Sequence, residues 1–270
     1  MRGHFLRAAT PKGGTWTPAS ITTALWLDAA DAATVTTVSG AVSQWNDKSG
    51  NNRHAVQATQ ASQPSATANT INSKTVITFD GSNDFMDVST TVLQGQTEPN
   101  LFYVFVYYGS GSGGPYPYYF PAVSLLSIAG QDRGAFHYVK GTSNLGASYP
   151  LFGADPYWGN YDLSSGTVYV TGTPEIIGFN ALAGNWRVFR NGVQEGATGT
   201  VGGAPDNTFT GLRLAQQLNP LRTSNIGIGE LVFTFGASVL NCQKMEGYLA
   251  HKWGLTANLP SNHPYKTVAP

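Results

Sequence analysis

The feature that most constrains the fold is a series of short apolar runs between residues 24 and 235, each ended by glycine, asparagine, proline or serine. Runs of about four to eight residues are typical of β-strands, and turn residues at this spacing favour an antiparallel sandwich or barrel. Residues 101–107 are almost all apolar or aromatic, which predicts a central strand buried on both faces. The pattern predicts an all-β fold.

A two-residue β-hairpin is predicted at Asn191 and Gly192. These residues separate the stretch 186–190 from residues 193–195, and Asn-Gly readily adopts the two positive φ angles of a type I′ turn. Further strands are predicted at residues 75–79, 167–171, 175–179, 211–215 and 226–235.

One short helix is predicted near the C-terminus. Its apolar stripe consists of Met245, Tyr248, Leu249 and Trp253, which recur at helical spacing. We expect Asn241 to be the N-cap, with Leu240 and Met245 as the hydrophobic staple around it. Gly254 stands where a left-handed glycine ends many helices.

The chain is predicted to be one domain over residues 21–270, preceded by an N-terminal arm over residues 1–20. The arm contains basic residues, glycines and prolines without a hydrophobic period. There is no internal repeat. The single cysteine, Cys242, excludes an intrachain disulfide.

Charge and hydropathy exclude two classes of partner. Lys plus Arg and Asp plus Glu are 15 each, and charged residues are only 11% of the chain. A net charge of zero gives no electrostatic footprint for nucleic acid. No apolar run reaches the roughly 20 residues of a spanning helix, so we expect no membrane insertion.

The composition also suggests where the protein is found. The N-terminus lacks the apolar stretch of a secretory signal, which predicts assembly in the host cytoplasm. The surface is nevertheless expected to be polar mainly through hydroxyl and amide groups, which suits an exposed structure. A virion would reconcile the two observations.

Several stretches resemble the concanavalin A-like, laminin-G-like jelly-roll domains of phage virion and bacterial surface proteins. They include Leu-Trp-Leu-Asp-Ala-Ala at residues 25–30, Trp-Arg-Val-Phe-Arg-Asn-Gly at 186–192 and Glu-Gly-Tyr-Leu-Ala-His-Lys-Trp-Gly-Leu at 246–255. The resemblance implies an antiparallel β-sandwich of two curved sheets, with binding loops at its rim. Relatives of this architecture bind sugars, bind proteins, cut glycans or hold particles together, so the fold alone does not determine the function.

Residues that would indicate catalysis do not form a recognisable motif. Glycoside hydrolysis needs two carboxylates about 5–10 Å apart, and the glucanases of this fold place them on one strand as Glu-x-Asp-x-x-Glu. None of the five glutamates has that spacing, and the histidines lack zinc-ligand spacing. His251 and His263 are expected to be structural hydrogen-bonding residues. We therefore predict no enzyme and no catalytic residue. A glycoside hydrolase with carboxylates from separate loops is the less favoured alternative.

Calcium is the one possible cofactor. Asp80, Asn83 and Asp84 lie close together after a predicted strand, and oxygen ligands at short spacing suit Ca²⁺. The same residues equally suit a turn whose side chains accept hydrogen bonds from backbone amides, which is the favoured interpretation.

Two aromatic loops supply the candidate binding residues. These residues are Tyr116, Tyr118, Tyr119, Tyr157, Trp158 and Tyr161. Such rings stack on sugars and are also enriched in protein interfaces. Three interpretations remain open: contacts with neighbouring subunits, binding of a glycan, or packing of the loops onto their own core.

Together these observations predict a non-enzymatic structural protein of a phage virion, either a capsid decoration protein or a fibre-like component. Its expected partners are other capsid or tail proteins, copies of itself in a homo-oligomer, and a host-surface glycan. The alternative is a carbohydrate-binding module of a tail fibre or surface protein.

Overall fold

The structure is a computed structural model that describes residues 15–88, 92, 98–109, 111–112, 119–127, 135–140, 144–146, 169–182, 185–200, 209–218 and 221–270. These residues form the strands β1 Thr23–Asp28, β2 Val35–Val38, β3 Ala41–Trp45, β4 Ala55–Val56, β5 Ser65–Ile71, β6 Lys74–Asp80, β7 Met86–Val88, β8 Pro99–Gly109, β9 Tyr119–Ser127, β10 Ala135–Lys140, β11 Asn144–Gly146, β12 Pro174–Leu182, β13 Asn185–Arg190, β14 Val193–Thr200, β15 Phe209–Leu214, β16 Gln216–Leu218, β17 Leu221–Thr223 and β18 Asn225–Phe235. The helix α1 covers Val239–Trp253, and short 3₁₀ helices lie at Pro18–Ser20, Ala32–Thr34, Gln60–Ser62 and Thr256–Asn258.

The strands form an antiparallel β-sandwich, as the sequence predicts. One half has the strand order β11-β10-β9-β15-β7-β4, and the other has the order β5-β6-β18-β8-β12-β13-β14. Strand β3 joins the halves because it pairs with both β4 and β5. Val123 and Leu212 from the first half pack in one buried cluster with Phe105 and Phe179 from the second. The two halves therefore face each other across a shared core.

Strand β8 is buried on both faces, which confirms the prediction for residues 101–107. Tyr103 and Phe105 point into the core between the two halves of the sandwich. Phe102 and Val104 point to the opposite face, where they contact a second buried cluster that contains the apolar side of α1. Because side chains alternate along a strand, β8 contributes to both clusters. The fold thus has three layers, two of strands and one of helix.

Helix α1 begins three residues earlier than the sequence suggests. Ser238 is the N-cap, and its hydroxyl accepts a hydrogen bond from the backbone N–H of Asn241. The prediction of Asn241 as N-cap is therefore wrong, and Leu240 is 52% exposed rather than part of a staple. The predicted C-terminus is confirmed, since Gly254 has the left-handed φ of 70°.

The predicted hairpin at Asn191 and Gly192 is present between β13 and β14. The two turn residues have φ angles of 52° and 77°. A two-residue turn with both angles positive matches the type I′ requirement. The local sequence alone therefore determines this connection.

Two other sequence predictions need correction. Residues 15–20 do not form an arm, because Trp16 is buried in the cluster beneath α1 and Pro18 is buried too. Residues 1–14 lie outside the described ranges. Residues 169–171 form no strand, and the next strand begins at Pro174; residues 167 and 168 are not described.

Within the described ranges, no helix is long and apolar enough to cross a membrane.

Candidate functional site

One end of the sandwich collects several connections between its two halves. We define this end, called the rim, as residues 80–85, 109–112, 169–174 and 221–225. Asn225 at the start of β18 pairs with Asp80 at the end of β6 and with Gly109 at the end of β8. The N–H of Gly172 donates to the carbonyl of Tyr107 at 2.8 Å. Strand pairing therefore places all four segments at one end.

Thr223 connects three of the four rim segments. Its hydroxyl donates to the carbonyl oxygen of Gly81 at 2.5 Å, and its oxygen lies 3.0 Å from the Ser112 hydroxyl. Gly111 also passes close by, because a Cβ added there would lie 1.7 Å from the carbonyl oxygen of Thr223. Only glycine permits this approach. The chain that leaves β8 is thus attached to the body at residues 111 and 112.

The turn at residues 80–84 has the hydrogen bonds that the turn interpretation predicts. Asp80 Oδ1 accepts from the backbone N–H of Ser82 at 2.7 Å, and Asp84 Oδ2 accepts from the N–H of Asp80 at 3.0 Å. Burial raises the pKa of Asp84 to about 6, and the nearby Asp80 carboxylate adds to the rise. Asn83 is exposed, and its amide donates to the carbonyl of Ala61. These side chains satisfy backbone groups of the turn and of a neighbouring segment.

Calcium binding at this turn stays a prediction. In the part of the chain that the structure describes, no three His, Cys, Asp or Glu side chains come together as ligands for a metal ion. Asp80 retains an exposed position on the rim. An ion here would need to compete with backbone amides for the Asp80 and Asp84 oxygens.

Five of the six predicted aromatic binding residues lie outside the described residues: Tyr116, Tyr118, Tyr157, Trp158 and Tyr161. Tyr119 is the first residue of β9, and its backbone pairs with Lys140. The structure does describe where the aromatic segments join the sandwich. Segment 113–118 follows Ser112 on the rim, and segment 147–168 ends at Tyr169.

Tyr169 anchors the second aromatic segment to the core. Its ring is buried and lies 5.2 Å from the ring of Phe105 and 6.1 Å from that of Tyr107. The next residue, Val170, is 62% exposed, and Leu221 on β17 is 54% exposed. The rim therefore offers apolar surface to solvent beside the points where both aromatic segments join the sandwich.

The sequence motifs behind the family resemblance form a buried charge network that sequence reasoning did not identify. Glu230 on β18 is completely buried, and its two oxygens accept hydrogen bonds from Trp26 Nε1 at 2.7 Å, Tyr248 Oη at 2.9 Å and Trp253 Nε1 at 2.8 Å. Lys252 Nζ lies 2.7 Å from the same carboxylate. Burial raises the pKa of Glu230, and the Lys252 ammonium opposes that rise.

Asp28 extends the network to the surface. It lies opposite Glu230 in the β1–β18 pairing and contacts Lys252 at 2.7 Å and Lys48 at 2.8 Å. Lys48 also reaches Asp31, which is 38% exposed. Both buried carboxylates of this network, Asp28 and Glu230, contact a lysine ammonium, which offsets the cost of burying their charge. The network connects β1, β18 and α1, so we assign it a structural role.

Two further buried carboxylates, on β12 and α1, also contact a basic side chain. Glu175 pairs with Arg190, and Glu246 lies 3.2 Å from His263 Nε2. Nε2 of His251 lies 3.0 Å from the carbonyl oxygen of Tyr265. Both histidines therefore join the C-terminal segment to α1, as expected from the sequence.

No family model matches the sequence, and no curated protein is a significant match. Among solved structures, the chain is similar to the sialidase of Trypanosoma rangeli. In complex with 2,3-difluoro-KDN, that enzyme gives a TM-score of 0.57 at 13% identity, with 92% of this chain and 36% of the sialidase covered. The same enzyme in complex with sialic acid gives a TM-score of 0.56 at 11% identity, with 84% of this chain and 33% of the sialidase covered.

The receptor-binding domain of botulinum neurotoxin D is also similar. It gives a TM-score of 0.51 at 13% identity, with 82% of this chain and 50% of the toxin domain covered. This chain thus spans about a third of the sialidases and half of the toxin domain. At such low identity the likeness concerns the fold alone, which is an antiparallel β-sandwich.

The prediction that this chain is not an enzyme is corrected by these comparisons. Solved structures that share its fold include sialidases, which are enzymes. The absence of a strand-borne Glu-x-Asp-x-x-Glu motif therefore does not separate this chain from catalytic proteins, because that motif belongs to only one group of enzymes.

Proposed function

We propose that this chain is a surface-recognition module that binds a glycan through the aromatic segments 113–118 and 147–168. The observation that carries the proposal is the position of the residues that flank these segments: Ser112, which precedes segment 113–118, and Tyr169, which follows segment 147–168, both lie at the rim. A Tyr or Trp ring offers a flat apolar face to a sugar ring and, through its hydroxyl or N–H, a polar edge. The rim of a rigid sandwich supports such loops well.

A glycan array probed with the purified protein tests this proposal. We expect binding to at least one glycan, and Trp158→Ala should weaken it about fivefold or more, since one stacked ring is worth about 1 kcal/mol or more. Leu221→Ala should weaken it as well, because this side chain is exposed on the rim.

Leu240→Ala is the matched control, because Leu240 is 52% exposed, close to the 54% of Leu221, but lies on α1. Equal binding by the wild type, Trp158→Ala and Leu221→Ala would contradict the proposal. Absence of binding to every glycan would contradict it too.

We also propose that the protein is a component of a virus particle, located in its capsid or tail. The supporting observation is the composition: only 11% of the residues are charged, and the chain contains 32 glycines and 13 tyrosines. Mass spectrometry of purified particles tests this placement, since the protein should be present in a fixed ratio to the major capsid protein. Its absence from intact particles would overturn the placement and leave glycan binding to be judged separately.

Contacts with neighbouring subunits are the second candidate function. The exposed Val170 and Leu221 favour it, since exposed apolar residues beside aromatic segments are typical of protein interfaces. Light scattering of the wild type and of Leu221→Ala tests it. A wild-type oligomer that becomes monomeric in the variant would support this function, and a monomeric wild type would speak against self-association.

A further inference from the structure

We propose that the sandwich carries a binding site for an oxyanion, a phosphate or carboxylate group, built on Arg187 and Asn180. The site lies on the face of the sheet that α1 covers, which we call the helix face. It is at the end of strands β8, β12 and β18 opposite to the rim. The site is therefore separate from the proposed glycan-binding surface.

A row of four polar residues crosses the helix face. Asn100 on β8 lies directly opposite Thr234 on β18 and Asn180 on β12. Asn180 in turn lies opposite Arg187 on β13. Directly opposed residues of antiparallel strands share a face of the sheet, and Asn100 faces α1, since Cys242 Sγ lies 3.9 Å from its Oδ1. The whole row therefore lies on the helix face.

The next row on the helix face is apolar. It consists of Val232, Phe102, Gly178 and Phe189, in the same strand order. The ring of Phe102 and the Cβ of Phe189 lie close to Gly178, at 3.1 Å and 3.5 Å from the position of an added Cβ. Beside apolar side chains, electrostatic attraction is stronger than in bulk water. A charge in the polar row therefore attracts a ligand more strongly than the same charge in open solvent.

Two members of the polar row are buried without a hydrogen bond. Asn180 is 5% exposed and Thr234 is 1% exposed, and neither Asn180 Oδ1 nor Thr234 Oγ1 has a partner. Such a group costs free energy, and it often marks the place of an ion or ligand. The Asn180 amide also carries two N–H donors, which face an anion when the amide turns about its last torsion.

Arg187 supplies the charge of the site. Among the arginines that the structure describes, its side chain alone makes no hydrogen bond or ion pair, since Arg53, Arg190, Arg213 and Arg222 each have a partner. The side chain is partly exposed, so a ligand can reach it. A guanidinium donates two parallel hydrogen bonds to one phosphate or carboxylate group. An oxyanion is therefore the ligand that this residue fits.

The described acidic residues around the row do not neutralise Arg187. Glu246 on α1 is engaged by a buried histidine. Glu195 on β14 lies opposite Val188, which belongs to the core between the sheets, so Glu195 points away from the helix face. Glu98, just before β8, makes no ion pair with this arginine either. The positive charge therefore stays available to a ligand.

Helix α1 adds to the positive potential of the site. Its first turn lies over the polar row, because Cys242 in that turn contacts Asn100. The first N–H groups of a helix lack partners within the helix, and this end carries partial positive charge. The helix end and Arg187 therefore both favour an anion at this end of the sheet.

Isothermal titration calorimetry of the full chain with inorganic phosphate tests the site. The titration is carried out at neutral pH and constant ionic strength, with sodium chloride as the control salt. We expect phosphate to bind with a Kd of about 1 mM or tighter and chloride to give no saturable signal. Acetate and glucuronate, compared with uncharged glucose, distinguish a carboxylate ligand from a phosphate ligand.

Variants identify the groups that bind the anion. Arg187→Gln should weaken phosphate binding about tenfold or more, because hydrogen bonds to a charged group are strong. Arg187→Lys should weaken it about threefold, since the ammonium keeps the charge but lacks the planar fork. Asn180→Asp should abolish binding, because the new carboxylate would pair with the arginine. Lys244→Gln is the matched control: it removes one positive charge at a partly exposed position of α1 and should leave the affinity unchanged.

Urea unfolding separates binding from a purely structural role. Without phosphate, Arg187→Gln should leave the free energy of unfolding nearly unchanged, because the side chain has no partner in the fold. With phosphate, the wild type should become more stable and Arg187→Gln should not. A less stable Arg187→Gln that binds phosphate as tightly as the wild type would overturn the proposal.

Two further outcomes would overturn the site. One is the absence of binding by phosphate, acetate and glucuronate up to about 50 mM. The other is equal weakening by Lys244→Gln and Arg187→Gln, which would indicate general attraction by positive charge. Neither outcome bears on the glycan array, because the rim lies at the other end of the strands.

Discussion

Glu230 and Asp84 are both carboxyl groups withdrawn from water, but their surroundings differ. Glu230 accepts hydrogen bonds from two indoles and a phenol and pairs with Lys252. Asp84 accepts one hydrogen bond, from the backbone of Asp80, whose own carboxylate is nearby. The Glu230 carboxylate is therefore bound by four donors, whereas the surroundings of Asp84 favour its protonated form. The two residues should therefore respond differently to substitution.

Glu230→Gln should destabilise the protein by about 3–5 kcal/mol, because the amide cannot accept all four donors and leaves Lys252 with one fewer partner in a buried site. Urea unfolding gives the free-energy difference. Asp31→Asn is the control, since Asp31 is 38% exposed and an exposed pair contributes about 1 kcal/mol or less. Similar decreases in the free energy of unfolding of the two variants would show that burial does not determine how much each carboxylate of this network stabilises the fold.

Asp84 should make stability fall as the pH rises. Its pKa is raised from 3.8 to about 6 in the folded protein, so the fold favours the protonated form. This contribution is fully present below pH about 4 and is lost as the pH passes about 6. A rise of about two pKa units corresponds to about 3 kcal/mol, and screening by solvent at this end of the sandwich should reduce the loss to about 1–2 kcal/mol.

In Asp84→Asn this part of the pH dependence should disappear. The measurement is urea unfolding of both proteins between pH 4 and pH 8 in EDTA, with the difference between them as the readout, because other buried acids cancel in it. Parallel pH profiles would refute the assignment. A parallel calcium titration of both proteins tests the predicted ion at the same turn.

Helix α1 is held by close contacts on two sides. Gly229 on β18 lets the Trp253 ring approach, since an added Cβ would lie 2.7 Å from it. Gly247 faces the C-terminal segment, where an added Cβ would lie 2.4 Å from the Cβ of Tyr265. In an exposed helix, replacing glycine by alanine stabilises by about 1 kcal/mol. Here the packing should outweigh that gain.

Gly247→Ala is therefore expected to destabilise the protein by about 1–3 kcal/mol, the usual cost of overpacking. The contacting atom is a Cβ, which cannot move without its backbone. Gln243→Ala is the control, because it changes helix propensity at a partly exposed position of the same helix. Thermal unfolding of both variants gives the comparison. A gain in stability in Gly247→Ala would mean that the C-terminal segment around Tyr265 shifts to accommodate the added methyl group at little cost.

The elements that sequence could predict are those with local causes. Asn191 and Gly192 carry their turn geometry within two residues, and Gly254 ends its helix in the same way. The sequence pattern places the N-cap wrongly at Asn241, because serine and asparagine both cap helices and only the path of the chain after β18 selects Ser238.

The candidate site was predictable only in part. The aromatic segments could be recognised, but the common position of the residues that flank them, Ser112 and Tyr169, depends on the pairing of β8, β12 and β18, which are distant in sequence. Asp28 and Glu230 likewise come together only through the β1–β18 pairing. Long-range strand pairing is what the sequence pattern does not contain.

At the scale of the whole molecule, strand β8 makes the three layers interdependent. Phe102 and Val104 support the helix layer, and Tyr103 and Phe105 support the core of the sandwich. Loss of either layer would expose one face of this strand to water. Buried apolar area contributes about 25 cal/mol per Å², so partial unfolding that exposes a whole face of β8 is costly. The layers should therefore unfold as one cooperative unit.

Cys242 can test this cooperativity, because it is the single cysteine of the chain and is buried in the helix layer. Burial and the nearby Glu246 raise the pKa of its thiol to about 12, so the native protein should react extremely slowly with a disulfide reagent at pH 8. Labelling should require opening, with a free energy equal to that of global unfolding and the same dependence on urea. A thiol placed at Lys244→Cys in a Cys242→Ser background is the control and should react rapidly, since this position is partly exposed. Labelling of Cys242 could instead give a free energy of opening much smaller than that of global unfolding and independent of urea. In that case the helix opens while the sandwich stays folded, and the coupling through β8 is weaker than the alternation of its side chains implies.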